Sequence, residues 1–136
     1  MLDFEISILA IILAVISNGV IGALWYSPLL FGNRWISAMG KKKEDFDKSG
    51  ANIGYMLTMI AAIITALTLT FFINMMEVVT IGGGALIGFL AGLGIAAMRE
   101  LSPTFFEGRN ITLYLISISY HIFSLTVMGM IIAYFY

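Results

Sequence analysis

The chain has 136 residues, of which 60% are hydrophobic and 11% charged, with a net charge of -1 and a mean hydropathy of +1.00. A soluble domain carries about 25% charged residues, so much of this surface must face lipid, and the length allows a single domain, residues 1–136. The absence of Cys excludes disulfides, thiolate catalysis and Cys-based metal sites, and the near-neutral charge gives no reason to expect a nucleic-acid partner.

Four apolar runs, at about 5–26, 53–76, 79–98 and 110–134, each approach the roughly 20 helical residues that cross about 30 Å of hydrocarbon. They are continuous rather than alternating, which argues against a barrel. The fold class expected is therefore all-α: a polytopic four-transmembrane-helix bundle. Met1–Glu5 has no Lys or Arg, so the first run is read as a retained helix rather than a signal peptide.

The first run offers Ala10, Ala14, Asn18 and Gly22 at a period of four. It leads into a segment containing Trp25, Tyr26, Arg34 and Trp35. Here Ser27 and Pro28 are placed to start a short interfacial helix over 28–36. Residues 27–52 form the first basic loop, with Arg34, Lys41, Lys42, Lys43 and Lys48; Glu44, Asp45 and Asp47 dilute its charge. The second run carries Thr65, and only a tight turn around Glu77 separates it from the third. The third run places Gly84, Gly88, Gly92 and Ala96 on one flat ridge suited to close helix packing, within the chain or between subunits. Residues 99–109 form the second basic loop, with Arg99, Glu100, Glu107 and Arg109.

All seven Lys and Arg fall in these two loops. The positive-inside bias then puts both loops in the cytoplasm of a plasma-membrane protein, and both termini outside. The segments from Ser27 and Ser102 both read Ser-Pro followed by Phe, Gly, Arg and Ile. This allows two parallel helix-pair repeats; independent capping by Ser and Pro is the alternative.

The fourth run holds the one ionisable residue expected deep in the bilayer, His121. With Ser117 and Ser124 on its face, and Asn18 and Thr65 at similar depth, it defines a midplane polar layer. Its partner is expected to be Asn18 or a Ser or Thr, and burial with no carboxylate at that depth should keep it neutral. Helix glue and a ligand or proton site are the two roles open to it. At the cytoplasmic face Trp25, Tyr26, Arg34, Trp35, Glu107 and Arg109 form either an interfacial belt or an anion site with forked Arg donors. Ala14, Gly22, Gly84, Gly88 and Gly92 are read as packing residues.

No enzyme motif is present, and no catalytic residue, cofactor or metal is assigned. One His cannot make a H-E-x-x-H site, and the glycines lack the strand a dinucleotide fingerprint requires. The expected function is a non-enzymatic oligomeric bundle that binds or passes a small solute, ion or lipid. The alternatives are an accessory subunit of a larger membrane complex and, third, a lipid-headgroup enzyme. The expected partners are the lipid bilayer and either further copies of the chain or a membrane protein.

One resemblance spans most of the chain. Asn18 in the first helix is followed by Trp25-Tyr26, then Leu30-Phe31-Gly32 and Trp35, then Phe106-Glu107 and Arg109, then Tyr120-His121. In these motifs the chain resembles the membrane family known as domain of unknown function 1761. Gly108, between Glu107 and Arg109, is a departure. The resemblance implies the four-helix architecture and gives the aromatic-Arg segment and His121 the standing of family features. It implies no activity.

Overall fold

The computed structural model describes residues 6–40, 48–78 and 80–136, with side chains in the second stretch from residue 52. The Lys41–Lys43 triplet and the acids from Glu44 to Asp47 lie outside the described residues. All described elements are helical. In chain order they are α1 (Ile8–Trp25), α2 (Gly32–Ala38), α3 (Lys48–Met75) and α4 (Ile81–Ala91). A π-helical turn (Gly92–Ala97) then joins α4 to α5 (Met98–Phe106), and α6 (Ile111–Tyr134) completes the chain. Four helical stretches are long and apolar enough to cross a membrane: Ile8–Trp25, Asn52–Met75, Ile81–Phe106 and Ile111–Tyr134. This is an all-α membrane protein.

Side-chain oxygens start three of these helices. Ser7 accepts from the Ala10 amide at 3.2 Å, Thr80 from Gly83 at 3.0 Å and Asn110 from Thr112 at 2.8 Å, each satisfying an amide with no partner inside the helix. Between α5 and α6 the chain reverses through Gly108 at φ +69°. Arg109 N–H donates to Thr104 O at 2.9 Å and Gly108 N–H to Phe105 O at 3.4 Å, the paired bonds of a Schellman terminus. The glycine that interrupts the family motif is thus the left-handed residue that ends α5.

Two elements differ from the expectation. The third span does not stop at Met98; it runs to Phe106, because nothing from Arg99 to Ser102 breaks a helix, Arg99 lies on its exposed side and Glu100 has partners on α6. Residues 99–106 are therefore helix, and only 107–110 form the connection. The short helix after α1 begins at Gly32 rather than Pro28, because Ser27–Phe31 are spent in a turn. Phe31 N–H reaches back to Trp25 O at 3.0 Å and Gly32 N–H to Ser27 O at 2.9 Å. The two Ser-Pro segments accordingly take different forms: Ser27-Pro28 lies in this turn, Ser102-Pro103 inside α5.

α6 is the hub of the bundle, packed by α4 on one side and α1 on the other, with α3 closing one end. The α4–α6 contact is very close. A Cβ at Gly84 would strike Gly129 and Ala133, one at Gly88 would strike the Leu125 carbonyl, and one at Gly92 would lie 2.7 Å from Ile122 Cα. Ala10 and Ala14 of α1 are likewise buried. The core joins Ala14, Ala66, Leu69, Ile73, Met128 and Ile132. α3 is buried only from Ala62 onward; residues 52–61 are exposed throughout. The end of the bundle carrying Arg34, Arg99 and Arg109, the basic end, is therefore built from α1, α2, α5 and α6.

Candidate functional site

The π turn sets the site. Gly84, Gly88 and Gly92 face α6 at intervals of four, and a regular helix would continue the ridge at Ala96. The wide turn inserts one residue, so Ala97 is the buried position (0% exposed) and Ala96 is displaced. One inserted residue rotates the rest of the helix by about 100°, so Glu100 occupies the angle that Arg99 would otherwise hold. Tyr114 of α6, itself buried, donates to Ala97 O at 3.0 Å and satisfies a carbonyl of the irregular turn. Wide turns of this kind recur at functional sites.

Glu100 then meets His121. The carboxylate Oε1 lies 3.1 Å from His121 Nε2 and accepts from the Ser117 hydroxyl at 3.3 Å. Helix direction explains the meeting. Side chains tilt toward the N-terminus of their own helix. α5 and α6 run oppositely, so Glu100 leans toward the bilayer centre and His121 toward the basic end. Glu100 stands about 28 Å along the helix from Ile81, toward the basic end of its span. The expectation that no carboxylate reaches His121 is thus corrected, as is its partner: Glu100, not Asn18. The signal was present, since a helix extended through Arg99 carries Glu100 on the α6 side, but the charged pair ended the apolar run.

A second hydrogen-bonded group adjoins the first. Asn18 Oδ1 accepts from Ser124 at 2.6 Å and from the Tyr120 hydroxyl at 3.0 Å. Tyr120 can approach because α1 has Gly22 opposite, where a Cβ would come within 3.1 Å of the phenol oxygen. Tyr120 also meets Tyr26 edge-to-face at 5.6 Å, and Tyr26 meets Trp35 in the same way at 5.3 Å. Burial raises the Tyr26 phenol above its ordinary pKa, and Ser117 beside it offsets part of that; Tyr26 stays a neutral hydroxyl at any physiological pH. Among the described residues every buried side-chain N and O has a partner. Asn18, Ser117, His121 and Ser124 thus share one region with Glu100, Tyr26 and Tyr120. Thr65 does not; its hydroxyl returns to Ala61 O in its own helix at 2.8 Å.

The residues expected at the cytoplasmic face divide. Trp25 donates to Ile116 O at 3.1 Å and packs on Phe31 and Phe123, so it fastens α1 to α6. Arg34 borders a groove of about 490 Å3 between α2 and α6, with Phe31, Leu115, Ile116 and Ile122. Arg109 pairs with Glu107 at 3.0 Å on the surface beyond α5. Among the described residues no three His, Cys, Asp or Glu side chains gather as metal ligands.

The site is open on one side. The side chains of His121 and Glu100 keep 36% and 28% of their exposure, because α3 provides no buried position at this end. Toward the other end, Ala14, Ala66, Leu69 and Met128 close the bundle with apolar side chains. Beyond them lies a cavity of about 280 Å3 lined by Ser7, Thr70, Asn74 and Tyr136 among others.

The family described as Protein of unknown function (DUF1761) matches residues 9–133. The chain belongs to this family. The match runs through the whole bundle, from the start of α1 to the end of α6. The motif residues Asn18, Tyr26, Trp35, Tyr120 and His121 fall together at the site of this DUF1761 protein. Gly32 has a structural reason within the motif: a Cβ there would lie 2.5 Å from Tyr26 O, so the chain could not fold α2 back over the end of α1. No curated protein and no solved structure matches the chain.

Proposed function

We propose that this DUF1761 protein is a non-enzymatic membrane bundle that binds a small polar solute or ion at the Glu100–His121 site and passes it across the bilayer. One observation carries the reading: a carboxylate and an imidazole 3.1 Å apart within the spans, left part-exposed where glue alone would be enclosed. Ionisable groups in hydrocarbon are costly and mark ion or substrate paths. The apolar closure at Leu69 and Met128 separates this site from the cavity beyond, as a binding site accessible from one end requires.

The accessory-subunit alternative needs small-residue ridges available to a partner. Those ridges are occupied within the chain, Gly84, Gly88 and Gly92 by α6 and Ala10 and Ala14 by the core. The enzyme alternative needs Arg34, Glu107 and Arg109 in one cleft; Arg109 pairs with Glu107, and the groove that Arg34 borders is lined largely by apolar side chains.

A cysteine-free chain makes the test direct. Ser117→Cys, in reconstituted protein, should react with a small hydrophilic methanethiosulfonate, because a solute site must be reached by water. Leu115→Cys, on the exposed apolar face of α6, should not. A folded Ser117→Cys variant that stays unreactive refutes the reading.

A further inference from the structure

We infer that the solute is a small cation of the amine or quaternary ammonium type, held by Glu100 and the surrounding rings; this rests on the solute-binding reading above. Three of the site's hydroxyl donors are already committed, which leaves the Tyr26 phenol. Ser117 donates to Glu100 Oε1, while Tyr120 and Ser124 both donate to Asn18 Oδ1. Beyond that phenol, what remains for a ligand is acceptor and π surface. His121 and Ser117 both meet Oε1, and the second carboxylate oxygen, Oε2, has no protein donor among the described residues.

Three half-buried rings, Tyr26, Trp35 and Tyr120, form a continuous edge-to-face series beside this oxygen's residue. His121, 3.1 Å from Glu100 Oε1, meets the Tyr120 ring at a centroid distance of 5.4 Å, which joins the carboxylate to the ring series. Ring faces attract cations, most strongly where water is scarce. An anion would meet the opposite: a carboxylate at the centre, and arginines directed elsewhere, Arg109 to Glu107 and Arg34 to its own groove. A neutral solute would find few free donors. Charge, ring placement and donor use all select a positive ligand.

The test uses the full chain in lipid nanodiscs. Both of its tryptophans, Trp25 and Trp35, lie at or beside the site, so intrinsic fluorescence reports occupancy. Tetramethylammonium, tert-butanol and pivalate, similar in bulk, are titrated at constant ionic strength. Tetramethylammonium should give a saturable change, and the other two should bind at least about tenfold more weakly, the scale of a desolvated cation–π and charge contact. Glu100→Gln should weaken tetramethylammonium by about tenfold or more. Tyr26→Leu, which leaves the carboxylate in place, should weaken it too and carries the test if Glu100→Gln does not fold. Pivalate or tert-butanol binding as tightly as tetramethylammonium, absence of saturation, or wild-type affinity in folded Glu100→Gln would overturn the inference. A reactive Ser117→Cys with any of these outcomes leaves the solute site standing and removes only its cation class; an unreactive one removes both.

Discussion

The Tyr114 hydroxyl donates to the carbonyl of Ala97 at 3.0 Å, across the interface between α6 and the π turn. That bond holds the one place where the third span departs from α-helical register, and Glu100 stands three residues further on. Tyr114→Phe should remove a hydrogen bond across this interface, at a cost of about 0.5–1.5 kcal/mol. Thermal unfolding in detergent measures the loss. The same variant should change the reactivity of Ser117→Cys, because Glu100 is displaced. An unchanged melting temperature with unchanged reactivity would show that the turn does not depend on Tyr114.

The close α4–α6 approach predicts a contrast between two glycines of one helical stretch. At Gly88 an added Cβ meets the Leu125 carbonyl, whereas at Gly94 nothing lies within 4 Å. Gly88→Ala should therefore force the helices apart and destabilise by about 1–3 kcal/mol. Gly94→Ala should be neutral or stabilising by up to about 1 kcal/mol through helix propensity. Equal melting temperatures for the two variants would contradict the packing described.

Much of this architecture was legible because its physics is local. Apolar run length places four spans, and a period of four small residues marks the face on which α4 meets α6. The site was legible only in half. His121, Ser117, Ser124 and Asn18 stand out as polar residues in apolar runs. Glu100 does not, because a charged Arg-Glu pair looks like the end of a helix. Its partnership with His121 requires the third helix to continue through Arg99 and Glu100, and the π insertion that moves the buried position from Ala96 to Ala97 is encoded in no periodicity. Thr65 misleads for a related reason: in a helix its hydroxyl can bond its own backbone at i−4 and needs no partner across the bundle.

The Glu100–His121 contact predicts an ordered set of losses. Glu100→Gln retains an acceptor for His121 and Ser117, so the fold should survive with a small change in melting temperature. Glu100→Ala leaves both without it, and the loss should be larger, on the order of 1–3 kcal/mol for an unsatisfied buried group, reduced by the part-exposure of the pair. His121→Gln should fold and still lose solute binding if the imidazole helps set the carboxylate. Unfolding curves paired with the fluorescence titration separate these effects. Glu100→Gln as damaging as Glu100→Ala would argue that charge, rather than hydrogen bonding, holds the pair.

The last prediction concerns orientation. Every Lys and Arg of the chain falls in the sequence between α1 and the first residue of α3 or within and just after α5, and Arg34, Arg99 and Arg109 lie on the side where α1 and α5 end and α6 begins. Cytoplasmic loops carry the excess of Lys and Arg because translocating these charges is disfavoured. The basic end, and with it the open side of the Glu100–His121 site, is therefore expected in the cytoplasm. In the cysteine-free chain, Asn33→Cys in the exposed face of α2 and Tyr136→Cys at the opposite end report the two sides. An impermeant maleimide should label Tyr136→Cys in intact cells, and Asn33→Cys only after permeabilisation. The reverse pattern would place the basic end outside, and the site would then take its solute from the exterior. Labelling of both positions in intact cells would mean that both orientations coexist, in which case the Lys and Arg asymmetry does not decide insertion for this chain.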